Sequence, residues 1–198
     1  MALILGIDPG SRMTGYGLIQ QIGDNLTFID AGTIRTDSDA MPERLQQIFF
    51  GIERIVHHYG RYHHQPILAA IEQVFMASNP DSALKLGQAR GAAIAALVSN
   101  QLKVSEYTAR QIKQAVCGYG AADKEQIQAM VCRILSLDIT PQADAADGLA
   151  CAICHAHSNH SVNKLMGNML GNTGGGGHNR SKKKGRWRLT EEELKQLR

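Results

Sequence analysis

The stretch MALILGIDPGSRMTGYGLIQ (residues 1–20) decides how this chain is read. Residues 2–8, ALILGID, are a short apolar run that ends on an acid, Asp8. A run of this length, bounded by a polar residue and glycines, reads as a strand buried on both faces. The glycines at 10, 15 and 17 then lead into a second strand, and the alternation from Leu26 to Arg35 gives a third. Gly23-Asp24-Asn25 between them is turn chemistry.

Working outward, residues 66–72, PILAAIE, repeat the same device: an apolar run closed by a carboxylate, Glu72. Met41, Leu45, Ile48, Phe49, Ile52, Ile55 and Val56 recur at helical spacing. Asn79-Pro80 carries a cap and a first-turn proline for a helix whose body, Ala83 to Val98, is rich in Ala and Gly and so packs closely. A short strand near Lys103 to Glu106 and a helix near Ala109 to Val116 follow. Asp123 and Gln126 form a capping box ahead of Ile127, Met130, Val131, Ile134 and Leu135. Thr140-Pro141 opens a last core helix, which runs through Asp144 and Asp147 toward His157. Three early strands followed by alternating helices and strands indicate an α/β domain with a mixed sheet.

From about Ser158 the apolar pattern stops. The expected division is a core domain of residues 1–157 and a flexible, Gly-rich, basic extension of residues 158–198. The extension holds the glycine run around Gly174–Gly177 and the cluster at 182–188, KKKGRWR. Charge divides the same way. Lys164 to Arg198 carries nine Lys or Arg against three Glu, which leaves 12 basic and 15 acidic residues elsewhere. The body of the chain therefore needs local basic patches to meet a polyanion, whereas the extension attracts one as a whole. Trp187 in that cluster leaves two readings open, nonspecific DNA contact and a solubilising tail.

No apolar run approaches the roughly 18 residues of a spanning helix, and the N-terminus lacks the basic segment of a secretory signal. Four cysteines without a framework spacing fit a reducing cytoplasm. Cys151-Ala-Ile-Cys154-His155 spells a haem-attachment pattern, and His157 and His160 stand near as zinc ligands would. Its place on the helix of Asp144 and Asp147 favours packing over either role. A nucleotide phosphate loop at Asp8-Pro9-Gly10-Ser11 is disfavoured because no Walker-type lysine follows.

The chemistry gathers on carboxylates. Asp144 and Asp147 are three apart, so on a helix they share a face and repel. Their neighbours are small or apolar, which limits relief by water. Asp8 and Glu72 end two buried strands, at the sheet edge where ligands collect. Hard oxygen donors so placed point to Mg²⁺ or Mn²⁺, and two such ions suit phosphodiester chemistry.

The segments GIDPGSRMTGYG, AIEQVFMASNPDSALKLGQARG, ARQIKQAVCGYGAADK and PQADAADGLA resemble the RuvC family of Holliday-junction resolvases, over residues 1 to about 157. The resemblance implies a ribonuclease-H-like fold with a mixed five-stranded sheet flanked by helices. It implies a homodimer acting with the RuvA–RuvB branch-migration complex, and paired Mg²⁺-dependent nicks in strands of like polarity that leave 5′-phosphate and 3′-hydroxyl ends. Mn²⁺ would substitute, with two ions per subunit during catalysis. The implied metal ligands are Asp8, Glu72, Asp144 and Asp147. Lys113 and Lys124 would contact DNA and support cleavage. Lys124, in the first turn of its helix, opposes the helix dipole unless a phosphate approaches. Phe75 would stack on an unpaired base, and Lys85 and Arg90 would touch the DNA backbone. The carboxylates alone leave two rivals open: a nuclease of the same fold with another nucleic-acid substrate, and a noncatalytic junction-binding module.

Overall fold

The computed structural model describes residues 1–63, 66–74 and 79–171. Five strands and five helices follow one another: β1 (Ala2–Asp8), β2 (Met13–Ile22), β3 (Asn25–Arg35), α1 (Met41–His63), β4 (Ile67–Gln73), α2 (Pro80–Ser99), β5 (Val104–Thr108), α3 (Ala109–Cys117), α4 (Lys124–Leu135) and α5 (Ala143–Gly171). The sheet order is β3-β2-β1-β4-β5. The first three strands form an antiparallel meander, and β1–β4 and β4–β5 pair in parallel. This is the mixed five-stranded α/β architecture expected from the sequence.

Strand alternation divides the core in two. Leu3, Leu5, Ile7, Leu18 and Ile71 point to one face and pack with Ile48, Ile52 and Val56 of α1 and Ala89, Ala93, Ala96 and Leu97 of α2. Ile4, Ile19 and Ala70 point to the other face, against α3, α4 and α5. Because β1 is buried on both faces it reads as a continuous apolar run rather than an alternating one. Residues 4, 6 and 8 share the α5 face, so the acid that ends β1 is delivered to that face. The parity of Ala70 does the same for Glu72 on β4.

Helix α5 lies unusually close to the sheet. A Cβ on Gly6 would come within 2.2 Å of the Gly148 carbonyl oxygen, and one on Gly15 within 1.9 Å of the Asp144 carbonyl oxygen. The reciprocal Cβ on Gly148 would meet the Tyr16 carbonyl carbon at 2.5 Å. Backbone therefore rests on backbone. The small residues that looked merely helical in ADAADGLA are the means of that approach.

Local signals end the elements as expected. Asn79 accepts from the Asp81 amide at 3.0 Å, and Asp123 and Gln126 close a capping box on α4. Gly118 terminates α3 in the left-handed region at φ 82°. Helix α5 starts at Ala143, after Pro141, and runs on to Gly171, well past the last apolar position of the core. No proline interrupts residues 143–171, and the glycine-rich run begins only beyond them. Met1–Lys164 form one compact unit, and of the second, Leu165–Arg198, only the end of α5 is described. No helix among the described residues is long and apolar enough to cross a membrane.

Replacing Gly148 by Ala should push α5 off the sheet and cost about 1–3 kcal/mol or more of unfolding free energy. Gly60→Ala on α1, where a Cβ would have only an ordinary contact at 3.9 Å, should instead stabilise by up to about 1 kcal/mol. Urea unfolding of the two variants checks the contrast.

Candidate active site

Asp8 leaves the C-terminal end of β1 and Glu72 stands one register step beyond the Ile7–Ile71 pair on the neighbouring parallel strand. Asp144 and Asp147 occupy the first turns of α5, on the face seated against β1 and β2. The four carboxylates therefore converge at one sheet edge. Thr14, fully buried, braces the turn next to Asp8: its Oγ1 donates to the Gly10 carbonyl at 2.8 Å and accepts from the Gly10 amide at 3.3 Å. The glycines at 10, 15 and 17 thus serve a tight turn and a close helix approach rather than a phosphate loop.

Convergence shows in the electrostatics. Burial, and after it Glu72, Asp147 and Asp144, push the Asp8 carboxyl up from 3.8 to about 8, with Lys124 pulling the other way. Glu72 is raised by burial and by Asp147, against Lys113 and Lys124. Asp147 is raised chiefly by burial, with Lys124 and Lys113 opposing and Asp144 adding to it. A set of like charges with partial desolvation is the arrangement that shifts carboxyls upward. Beneath it Cys151 is fully buried, its thiol held protonated by burial and by its acidic neighbours.

Both expected lysines face this cluster. Lys124, the first residue of α4, holds Nζ 3.8 Å from Asp147 Oδ2, although its side chain is 77% exposed. So exposed an ammonium is free to swing toward another anion. Lys113 on α3 is half-buried and acts on Glu72 and Asp147. Other expectations fall differently. Lys85 pairs with Asp81 one turn earlier at 2.6 Å. Arg90 turns inward: its Nε donates to the Glu72 carbonyl oxygen at 3.1 Å, and its Nη2 pairs with Glu106 on β5. Phe75 lies outside the described residues, as does the basic cluster with Trp187.

The pairing of two neighbours of the site carries no sequence signal. Tyr107, the register partner of Glu72, pairs through its hydroxyl with Nδ1 of buried His155 at 2.8 Å, tying β5 to α5. Burial, with Lys103, keeps the His155 imidazole below its ordinary pKa and hence neutral. Cys151 and Cys154 are free and buried, in the packing role expected of them.

The oxygen-rich donor set suits a hard divalent cation. Among the described residues no three His, Cys, Asp or Glu side chains stand, as placed, close enough together to hold a metal ion. Hard ligands, raised carboxyls and nearby ammonium groups together can bind a metal and position a phosphodiester.

The family described as Crossover junction endodeoxyribonuclease RuvC matches residues 4–155. A Psychrobacter cryohalolentis protein named Crossover junction endodeoxyribonuclease RuvC is 71% identical over 198 residues, all of both chains. An Acinetobacter baumannii protein of the same name is 64% identical over 188 residues, 95% of this chain and 100% of its own. Among solved structures, "T. thermophilus RuvC in complex with Holliday junction substrate" matches with a TM-score of 0.73 at 29% identity, over 81% of this chain and 96% of that one. The alignment with the Psychrobacter protein runs through the basic C-terminal extension, so that extension is shared with a relative rather than peculiar to this chain.

Asp8 has a higher pKa folded than unfolded, so between about pH 4 and about 8 the folded protein keeps a proton that the unfolded chain has lost. In metal-free buffer that coupling erodes stability as pH rises through the window. Asp8→Asn removes the penalty. Its melting temperature should exceed wild type by several degrees, about 5 °C, at pH 8, with the gap closing toward pH 4. A gap that stays constant across the window would contradict the assignment.

Proposed function

This chain belongs to the RuvC family of crossover junction endodeoxyribonucleases, and on that premise we propose that Asp8, Glu72, Asp144 and Asp147 form its metal-dependent catalytic centre. The activity is that of the family: endonucleolytic cleavage of Holliday junctions in DNA recombination and repair. The observation that carries the site assignment is the gathering of four partly buried carboxylates, where burial, and after it Glu72, Asp147 and Asp144, raise Asp8 to about 8.

The four carboxylates would hold Mg²⁺, with Mn²⁺ able to substitute and two ions per subunit during cleavage. When bound, such ions supply an activated water and stabilise charge on the reacting phosphate. The protein's part is to hold donors and scissile phosphate in register. The water oxygen bonds to phosphorus while the bond to the 3′ oxygen breaks, giving 5′-phosphate and 3′-hydroxyl ends. Lys124, exposed, and Lys113, half-buried, would receive the phosphate charge that gathers in that step. Phe75, two positions past the strand that carries Glu72, would stack on an unpaired base, and Lys85 would add a weaker backbone contact. The nuclease unit would span residues 1–157, ahead of the extension of 158–198.

Resolution needs two nicks in strands of like polarity, which a homodimer provides. A stripe on α2 supports one. Leu84 is 64% exposed and Val98 57%, and Gly87 and Gly91 between them face open space. Residues at these spacings share one helix face, where glycines allow a second helix to approach closely. On the same reading, the RuvA–RuvB complex would be its partner and the bacterial cytoplasm its place of work.

Asp8→Asn should reduce single-turnover cleavage of a synthetic four-way junction by more than about 100-fold, beyond the loss expected from an outer-shell change, while binding in EDTA persists. Chelation of wild type should give the same phenotype. Equal cutting of linear duplex or of an RNA–DNA hybrid would instead favour a nuclease of another specificity. Unchanged cutting by Asp8→Asn would remove the assigned site. Separately, Leu84→Glu should shift the protein toward monomer in sedimentation velocity, by at least about tenfold in dissociation constant, the equivalent of roughly 1.4 kcal/mol.

A further inference from the structure

We infer that Arg90 is a positioning residue that holds the backbone of Glu72 in place, rather than a contact to DNA. The inference rests on the reading of Glu72 as one of the metal-holding carboxylates. Arg90 leaves the α2 side of the sheet half-buried and uses its guanidinium in two directions. Nε donates to the Glu72 carbonyl oxygen at 3.1 Å, and Nη2 pairs with the carboxylate of Glu106. Glu106 is the register partner of Ile71, one residue before Glu72, and Glu72 itself is the partner of Tyr107. One planar fork thus ties α2 to two adjacent strands at the point where β4 ends.

The placement matters for the site. Glu72 is the next-to-last residue of β4, so few ladder bonds beyond it restrain its backbone. Its carboxylate serves the α5 face while its own carbonyl is gripped by a side chain from α2. A metal-binding carboxylate needs its position held to a fraction of an ångström, and outer partners supply that. Glu106 neutralises the guanidinium, so little charge is left to attract a phosphate. A lysine could match the charge but not the two divergent bonds, because only the guanidinium presents a fixed fork.

Four variants test this: Arg90→Gln, Arg90→Lys, Glu106→Gln and Glu72→Gln. Each is measured for single-turnover junction cleavage, the Mg²⁺ concentration at half-maximal rate, junction affinity in EDTA, and amide hydrogen exchange across residues 67–74. Positioning predicts that Arg90→Gln and Arg90→Lys both slow cleavage roughly 10–100-fold. It also predicts a higher Mg²⁺ requirement and faster exchange at the end of β4, with junction affinity changed less than about twofold. Glu106→Gln, at a partly exposed position, should move the same readouts in the same direction.

A phosphate contact predicts the opposite pattern. Arg90→Lys would then behave as wild type, Arg90→Gln would weaken binding and lower the salt slope by about one, and Glu106→Gln would tighten binding. Any of these three results overturns the inference. Glu72→Gln separates the two levels. If it cuts normally, the site assignment itself falls. If it is inactive while both Arg90 variants cut normally, only the positioning role falls.

Discussion

The contact between the backbone of α5 and the backbone of β1 and β2 is the constraint on which this structure depends. Helices usually pack on sheets through interleaved side chains, which keep the axes about 10 Å apart. Here Gly6, Gly15 and Gly17 on the sheet and Gly148 on the helix remove the side chains at the crossing. The first turns of α5 can then descend to the level of Asp8. Without that approach Asp144 and Asp147 would stand above the sheet edge, and four acids would be four separate surface residues.

Bringing them together has an electrostatic cost that the rest of the site moderates. Burial and mutual repulsion raise Asp8, Glu72 and Asp147, and Lys113 and Lys124 offset part of that. A protein selected only for stability would avoid such a cluster, since buried like charges oppose folding. A divalent cation held there, as proposed, would relieve the repulsion. The same folding forces that tolerate the cluster leave Lys124 exposed on a helix start, where its charge is poorly placed for helix stability and well placed for an incoming phosphate.

Around the carboxylates the fold is redundant in its support. Thr14 closes the turn after β1, Tyr107 and His155 join β5 to α5, and Arg90 with Glu106 joins α2 to β4 and β5. None of these pairings announces itself in the sequence. A threonine, a tyrosine and an arginine in ordinary elements acquire meaning only from what lies across from them.

Local rules in the sequence were enough for the elements: the apolar runs ending at Asp8 and Glu72, the caps at Asn79 and Asp123, and the helical spacing of Asp144 and Asp147. Parity along a strand also determined which face each acid takes, because successive side chains alternate. Motif resemblance pointed to the family and to the four acids together. Tertiary structure decided what depends on distance across elements. It assigned the glycines of β1 and β2 to the seat of α5, turned Arg90 inward to the Glu72 carbonyl, and carried α5 on to Gly171 past the end of the apolar pattern. The physical reason is that periodicity and capping act over a few residues. Close approach and the choice of a charged partner are instead set by atoms that are distant in the chain and meet only when the core is closed.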